Sequence, residues 1–159
     1  MEKKRHGFVT FWLWLGIIGN CISIPSSIVA YQSMKNLGYL GIQLVTAGVD
    51  ITPFNEAIGI HIIILQVVAA IAGICMIVFY TQLLKWKKSA FWSIVIVALA
   101  VAIINIVIMH FIQQDYALIG LSYNLNPWMQ IIATPLSLLI LWAVLQIRKD
   151  GVSCWSQLD

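Results

Sequence analysis

Four long apolar stretches, separated by short polar segments, make up most of the chain. With boundaries placed at the flanking polar residues, they cover residues 8–31, 53–84, 91–112 and 127–147. Each is long enough to cross a hydrocarbon core about 30 Å thick, which takes roughly 20 helical residues. The pattern predicts an all-α fold, a polytopic transmembrane four-helix bundle that forms one membrane domain over residues 1–159.

Local signals support the direction of these helices. Thr-Pro at 52–53 and Asn-Pro at 126–127 combine a capping side chain with proline at the first helical position, so they mark the starts of the second and fourth helices. Phe-Trp at 11–12 and 91–92 opens the first and third helices after a basic cluster. This weak repeat allows an alternative arrangement of the same bundle as two tandem helical hairpins.

Two connecting segments, residues 32–52 and 113–126, are predicted as outer loops. The first contains many apolar residues, and Gly38 and Gly41 interrupt it. It is too apolar for free solvent, so we expect it to lie along the membrane surface or to cap the bundle. The second loop has a similar composition, which suggests that the two loops pack on each other.

Composition excludes a soluble fold, because 61% of the 159 residues are apolar and 9% are charged, against about 25% charged in ordinary globular domains. The net charge is +3, and eight of the nine basic residues flank the apolar stretches on one side. This positive-inside pattern predicts cytoplasmic termini in a bacterial cytoplasmic membrane, and it indicates no nucleic-acid partner. The eight residues are Lys3, Lys4, Arg5, Lys85, Lys87, Lys88, Arg148 and Lys149.

Other residue types complete the picture of a non-enzymatic membrane protein. Most tryptophans lie near the basic segments, as in an interfacial aromatic belt, and the three cysteines form no CxxC pair. No acidic or basic residue lies deep in a span, although proton-coupled transporters usually depend on one. No GxSxG, HExxH or phosphate-binding motif appears. We therefore predict no catalytic residues, no metal and no cofactor.

Each apolar stretch nevertheless carries a stripe of small polar residues at spacings of three and four. Such groups are costly to leave unpaired in hydrocarbon, so hydrogen bonds between helices are the first interpretation. A polar cavity between the helices is the alternative. The candidate interior residues are Asn20, Ser23, Ser27, Gln66, Asn105, Gln130, Thr134 and Ser137.

His61 and His110 are candidate ligands because both fall in the outer third of spans that are adjacent in sequence. Two imidazoles at one level suit a bis-histidine haem or part of a metal site. No third ligand supports this, so we interpret them as interfacial, hydrogen-bonded histidines.

Three sequence segments resemble a group of small four-helix bacterial inner-membrane proteins to which no activity is attached. The segments are RHGFVTFWL at 5–13, LKWKK with the following Phe-Trp at 84–92, and GVSCWSQL at 151–158. The resemblance implies the four-helix topology and is most specific near the basic segments.

Three functions remain open from the sequence. The leading hypothesis is an interaction, accessory or immunity-type protein whose partner is another membrane protein or a second copy, in addition to the lipid bilayer. The alternative is a small-molecule or lipid binder, or a permease, that uses the polar stripes. A haem or quinone redox protein has the least support.

Overall fold

A computed structural model describes residues 4–45, 52–118 and 128–159, with side chains described for 4–26, 29, 59–114, 117 and 131–159. This part of the chain forms four α-helices, as predicted. They are α1 (Gly7–Val45), α2 (Thr52–Leu84), α3 (Ser89–Leu118) and α4 (Trp128–Leu145).

Long apolar segments identify the protein as a helical membrane protein. Gly7–Ser26, Gly59–Leu84 and Ser89–Gln114 are each long and apolar enough to cross a bilayer. A shorter apolar segment, Ile131–Leu145, lies in α4. Few side chains in the three long segments are buried within the described chain, as expected where lipid rather than protein covers them.

Two helices extend further than their predicted spans. α1 continues to Val45, where the sequence predicted a loop over 32–52, and α3 continues to Leu118 inside the predicted loop 113–126. Gly38 and Gly41 each cost a helix about 1 kcal/mol relative to alanine, which does not stop it. Residues 46–51 and 119–127 lie outside the described part of the chain.

α1 and α2 pack closely because glycine leaves room for the neighbouring helix. A Cβ atom on Gly16 would lie 2.6 Å from Cε1 of Tyr80, and one on Gly73 would lie 3.0 Å from Cγ1 of Ile24. α2 also packs against α3, whereas α4 has fewer contacts with α3 and α1. The fourth helix is therefore the least integrated part of the described bundle.

The main core lies where the helix ends meet three short segments, residues 4–6, 85–88 and 146–159, which we call the basic end. Side chains from all four helices and from the C-terminal tail are buried together there. They are Val9, Leu13, Leu83, Ala90, Phe91, Ile94, Leu141, Val144, Leu145, Cys154 and Leu158.

The tail after α4 folds into a hairpin that the sequence prediction missed. Strands β1 (Arg148–Lys149) and β2 (Val152–Ser153) pair antiparallel, and a short 3-10 helix, Trp155–Gln157, follows. Asp150 and Gly151 have φ values of 55° and 83°, the left-handed pair that a two-residue type I′ turn requires. Asp-Gly is the strongest short-range hairpin signal and was visible in the sequence.

Candidate functional site

The N-terminal segment is attached to the folded tail. The backbone N–H of Lys4 donates to Oε1 of Gln157 at 2.8 Å, and Nε2 of Gln157 donates to the carbonyl oxygen of Lys4 at 2.9 Å. The Lys4 ammonium also lies 3.5 Å from Oδ2 of Asp150, in an exposed ion pair. These contacts join the start of α1 to the hairpin that follows α4.

Arg5 connects the same segment to the end of α2. Its guanidinium donates to the carbonyl oxygens of Leu83 at 2.7 Å and Leu84 at 3.2 Å, two of the groups that a helix C-terminus leaves without intrahelical partners. The guanidinium carbon also lies 4.0 Å from the centre of the Trp86 ring. The positive charge therefore stabilises the negative end of the α2 dipole while its flat face stacks on an aromatic ring.

Trp86 occupies a backbone position that usually belongs to glycine. Its φ is 68°, its N–H donates to the carbonyl of Leu83, and the N–H of Lys87 donates to the carbonyl of Gln82. This bonding pattern is a Schellman motif, in which the residue after the helix is left-handed. Stacking with Arg5 accounts for an indole at this position despite the strained φ.

The tail also holds the α2–α3 turn. The N–H of Asp159 donates to the carbonyl of Trp86 at 2.8 Å, and the N–H of Lys88 donates to the backbone oxygen of Asp159. The Lys88 ammonium lies 4.9 Å from the centre of the Trp155 ring, and that ring meets Phe91 edge-on. Three basic segments that are distant in sequence are thus brought to one surface.

The described residues of the basic end carry seven basic side chains and two acidic ones. Exposed tryptophans such as Trp14, Trp92 and Trp142 lie on the neighbouring helical turns. The basic residues are Lys4, Arg5, Lys85, Lys87, Lys88, Arg148 and Lys149, and the acidic ones are Asp150 and Asp159.

A groove lies between α1 and α4 next to the core of the basic end, and Tyr80 of α2 also lines it. Its volume is about 290 Å³, and it is partly open to the surroundings of the bundle. Its walls are mainly apolar and aromatic, with one aliphatic hydroxyl. The lining residues are Trp12, Leu15, Gly16, Tyr80, Ser137, Ile140 and Leu141.

The predicted polar stripes bond mainly within their own helices. Asn20 donates through Nδ2 to the carbonyl of Gly16 at 2.6 Å, and the hydroxyls of Ser23 and Ser137 donate to carbonyls three residues earlier at 2.8 Å. Hydroxyl and amide side chains in apolar helices commonly bond to the preceding turn, which satisfies their donors without a second helix. These three side chains therefore bond along their own helix, where hydrogen bonds between helices were predicted.

Of the predicted polar residues, Ser137 lines the groove. Thr134 accepts the Ser137 hydrogen bond through its carbonyl, and Asn105 is half-buried on α3. Gln66 has a buried Oε1 with no hydrogen-bond partner in the described structure. The side chains of Ser27 and Gln130 lie outside the described residues.

The aromatic walls of the groove were not predicted from the sequence. Trp12 is one of the tryptophans near the basic segments that predict an interfacial belt, and no sequence pattern indicates Tyr80. The usable signal was Gly16 on α1, since a glycine in a helix-contact stripe calls for a large side chain opposite, here Tyr80.

His61 and His110 are brought to one level, with Phe111 against both. The His61 ring stacks on Phe111 with centroids 5.6 Å apart, and the His110 ring is tilted against Phe111 at 6.3 Å. Nε2 of His110 lies 3.1 Å from Nε2 of Gln114, a hydrogen bond whose direction depends on the tautomer. Both histidines pack against one aromatic ring, and His110 is also hydrogen-bonded along its own helix.

Among the residues that the structure describes, no three His, Cys, Asp or Glu side chains come together as a metal site. Cys21, Cys75 and Cys154 are free thiols. Comparison with protein-family models, with curated proteins and with solved structures finds no match for this chain.

Proposed function

We propose that this chain is a non-enzymatic, multi-pass protein of the bacterial cytoplasmic membrane, with both termini cytoplasmic, that binds a membrane lipid in the groove between α1 and α4. The orientation is supported by the concentration of basic residues at one end of the bundle. The lipid-binding role is carried by the groove itself.

The lining of the groove argues for an acyl chain. Leu15, Ile140 and Leu141 form an apolar wall, and the rings of Trp12 and Tyr80 complete it. A flexible hydrocarbon chain suits such a lining, and a groove of about 290 Å³ that is partly open to the surroundings of the bundle admits it from the side. A lipid tail is therefore the occupant that the lining supports best.

The depth of the groove agrees with this occupant. Trp12 lies five residues into α1, and Leu141 lies four residues before the end of α4, so both are about 6–8 Å along the axis from the helix ends. That depth corresponds to the part of a leaflet's hydrocarbon that lies nearest the headgroups. A chain in the groove would leave its headgroup beside the basic end.

The test is to fill the groove. Ser137→Phe adds a ring inside it, whereas Leu139→Phe adds the same ring on a neighbouring exposed position of α4 that does not line it. Both variants and the wild type are reconstituted in phospholipid vesicles and extracted in mild detergent, and retained lipid per protein is counted by mass spectrometry.

We expect the wild type and Leu139→Phe to retain a stoichiometric lipid and Ser137→Phe to lose most of it. Equal retention by all three proteins, or retention by none, would contradict lipid binding in the groove. Gel filtration of each variant checks that the bundle remains folded.

The interaction hypothesis from the sequence remains a prediction. It was based on the apolar segment 37–45, whose side chains lie outside the described residues. A stoichiometric protein partner in a mild-detergent extraction from native membranes, with no retained lipid, would favour that function over the present proposal.

A further inference from the structure

We infer that the bound lipid is an ester-linked glycerolipid, and that the phenol hydroxyl of Tyr80 donates a hydrogen bond to one of its ester carbonyl oxygens. The inference rests on the proposed lipid-binding function and names its ligand class. It depends on a hydrogen-bond donor that stands in the apolar groove without a protein acceptor.

The polar end of the Tyr80 ring lies at the wall of the groove. Tyr80 and Gly16 both line the groove. A Cβ atom on Gly16 would lie 2.7 Å from Cζ of Tyr80, the ring carbon that bears the hydroxyl. Since the hydroxyl oxygen is bonded directly to that carbon, it lies within one bond of the contact between α1 and α2 that forms this wall.

The Tyr80 hydroxyl is available to a ligand. It forms no hydrogen bond with any residue that the structure describes, and its oxygen is not enclosed by protein, so an occupant of the groove can reach it. The aliphatic hydroxyl in the same groove, that of Ser137, already donates to the carbonyl of Thr134 at 2.8 Å. The carbonyl of Gly16 is likewise engaged, by Nδ2 of Asn20.

An unpaired hydroxyl in an apolar groove favours a ligand that offers an acceptor. Leaving a hydroxyl without a hydrogen bond in hydrocarbon is costly, and lipid tails carry no acceptor atoms. The acceptors closest to the tails are the carbonyl oxygens of the ester bonds that join them to glycerol. A phenol O–H is a suitable donor to such a carbonyl. The groove therefore favours a tail that carries an ester over one that does not.

The depth of Tyr80 matches that of the ester bonds. Tyr80 lies four residues before the end of α2 at Leu84, which is about 6 Å along the helix axis. The headgroup region of one leaflet is roughly 5–8 Å thick, half the difference between the whole bilayer and its hydrocarbon core. Because the basic turn that begins at Lys85 lies among the headgroups, Tyr80 lies near the boundary between headgroups and hydrocarbon, where the ester bonds are found.

Attraction of the basic end to a headgroup is the competing explanation for a lipid preference, and the choice of probe removes it. Dioleoyl phosphatidylcholine and its diether analogue have the same headgroup and matched chains, but the diether lacks both carbonyl oxygens. The chain also supplies a matched control. Thr81 follows Tyr80 on α2 and does not line the groove, and its hydroxyl donates to the carbonyl of Ile77 at 2.8 Å.

The experiment compares wild type with Tyr80→Phe and Thr81→Val. Each protein is reconstituted in vesicles containing equal parts of the ester and ether lipids and is extracted in mild detergent. Mass spectrometry then measures how much of each lipid is retained per protein. Tyr80→Phe removes the donor but keeps the ring that packs against Gly16, and gel filtration checks that each variant is folded.

We expect wild type to retain the ester lipid about fivefold over the ether lipid, which corresponds to the contribution of about 1 kcal/mol from one neutral hydrogen bond. Tyr80→Phe should retain the two lipids about equally, and Thr81→Val should keep the wild-type ratio. No preference in wild type, an undiminished preference in Tyr80→Phe, or an equal loss in Thr81→Val would each overturn the inference. Retention of both lipids by wild type without preference would leave the groove proposal standing, whereas retention of neither would remove both.

Discussion

The basic end and the rest of the bundle are packed by different means. At the basic end the helices, the N-terminal segment and the tail enclose one core, in which Leu13, Leu83 and Leu145 are fully buried. Farther along, the described buried side chains lie on α2 and α3, for example Ile62 and Ile108. All four helices contribute to the core of the basic end, whereas no described residue of α4 before Leu141 is buried.

Solvent accounts for this difference. Side chains of the tail, such as Cys154 and Leu158, leave water when they are buried against the helix ends, so the hydrophobic effect favours a core there. Within hydrocarbon, lipid tails are as apolar as leucine, and helices associate mainly through close packing at small residues. Gly16 against Tyr80 and Gly73 against Ile24 are such contacts. The groove lies at the boundary between the two regimes.

The largest loss of stability is expected when a side chain is removed from the basic-end core, and this loss tests the difference between the two regions. Leu83 is 0% exposed, so Leu83→Ala leaves a cavity and should lower the free energy of unfolding by about 2–4 kcal/mol. Ile71→Ala, on a position that is 59% exposed, should change it by less than about 0.5 kcal/mol. Unfolding of both variants in mixed micelles, titrated with a denaturing detergent, provides the measurement. Equal losses would mean that the basic end is not the dominant core.

Arg5 tests the polar part of the same region. Arg5→Gln removes two charge-assisted hydrogen bonds to α2 carbonyls and the stacking on Trp86, and we expect a loss of about 2 kcal/mol. Arg5→Lys keeps the charge but not the planar fork, so its loss should be intermediate. Lys85→Gln removes an exposed charge from the same turn and serves as the control. If Arg5→Gln is as stable as Lys85→Gln, the helix-capping role is wrong.

The sequence predicted the features that belong to single segments, and it did not predict those that depend on contacts between segments. The four helices and the membrane character were predicted because apolar length is a property of each segment alone. The clustering of the basic segments at one end follows from that topology. Contacts such as Arg5 with the α2 carbonyls depend on how separate segments meet, and no local pattern encodes them.

The misses have identifiable causes. The hairpin was missed although Asp150-Gly151 is a strong local signal, because strands of two residues are too short to show an alternation of apolar and polar positions. The end of α1 differed from the prediction because two glycines were read as helix breaks. Ser137 was selected for its polarity, but the partners that make it part of a groove, Trp12 and Tyr80, come from two other helices.

The smallest change in stability is expected from two glycine substitutions on α1, which test which of its positions pack closely against α2. Gly16→Ala places a Cβ 2.6 Å from Cε1 of the Tyr80 ring, so the ring must shift, whereas a Cβ on Gly19 meets nothing within 4 Å. Alanine favours a helix over glycine by about 1 kcal/mol at either position, and overpacking costs about 1–3 kcal/mol at position 16 alone. We therefore expect Gly19→Ala to stabilise the protein by up to about 1 kcal/mol and Gly16→Ala to destabilise it by about 1 kcal/mol. Because the two residues are less than one helical turn apart, opposite signs in the same micelle titration would show that α1 contacts α2 on one face only. Stabilisation by both substitutions would mean that Tyr80 moves freely, and α1 would then be held mainly by the basic end.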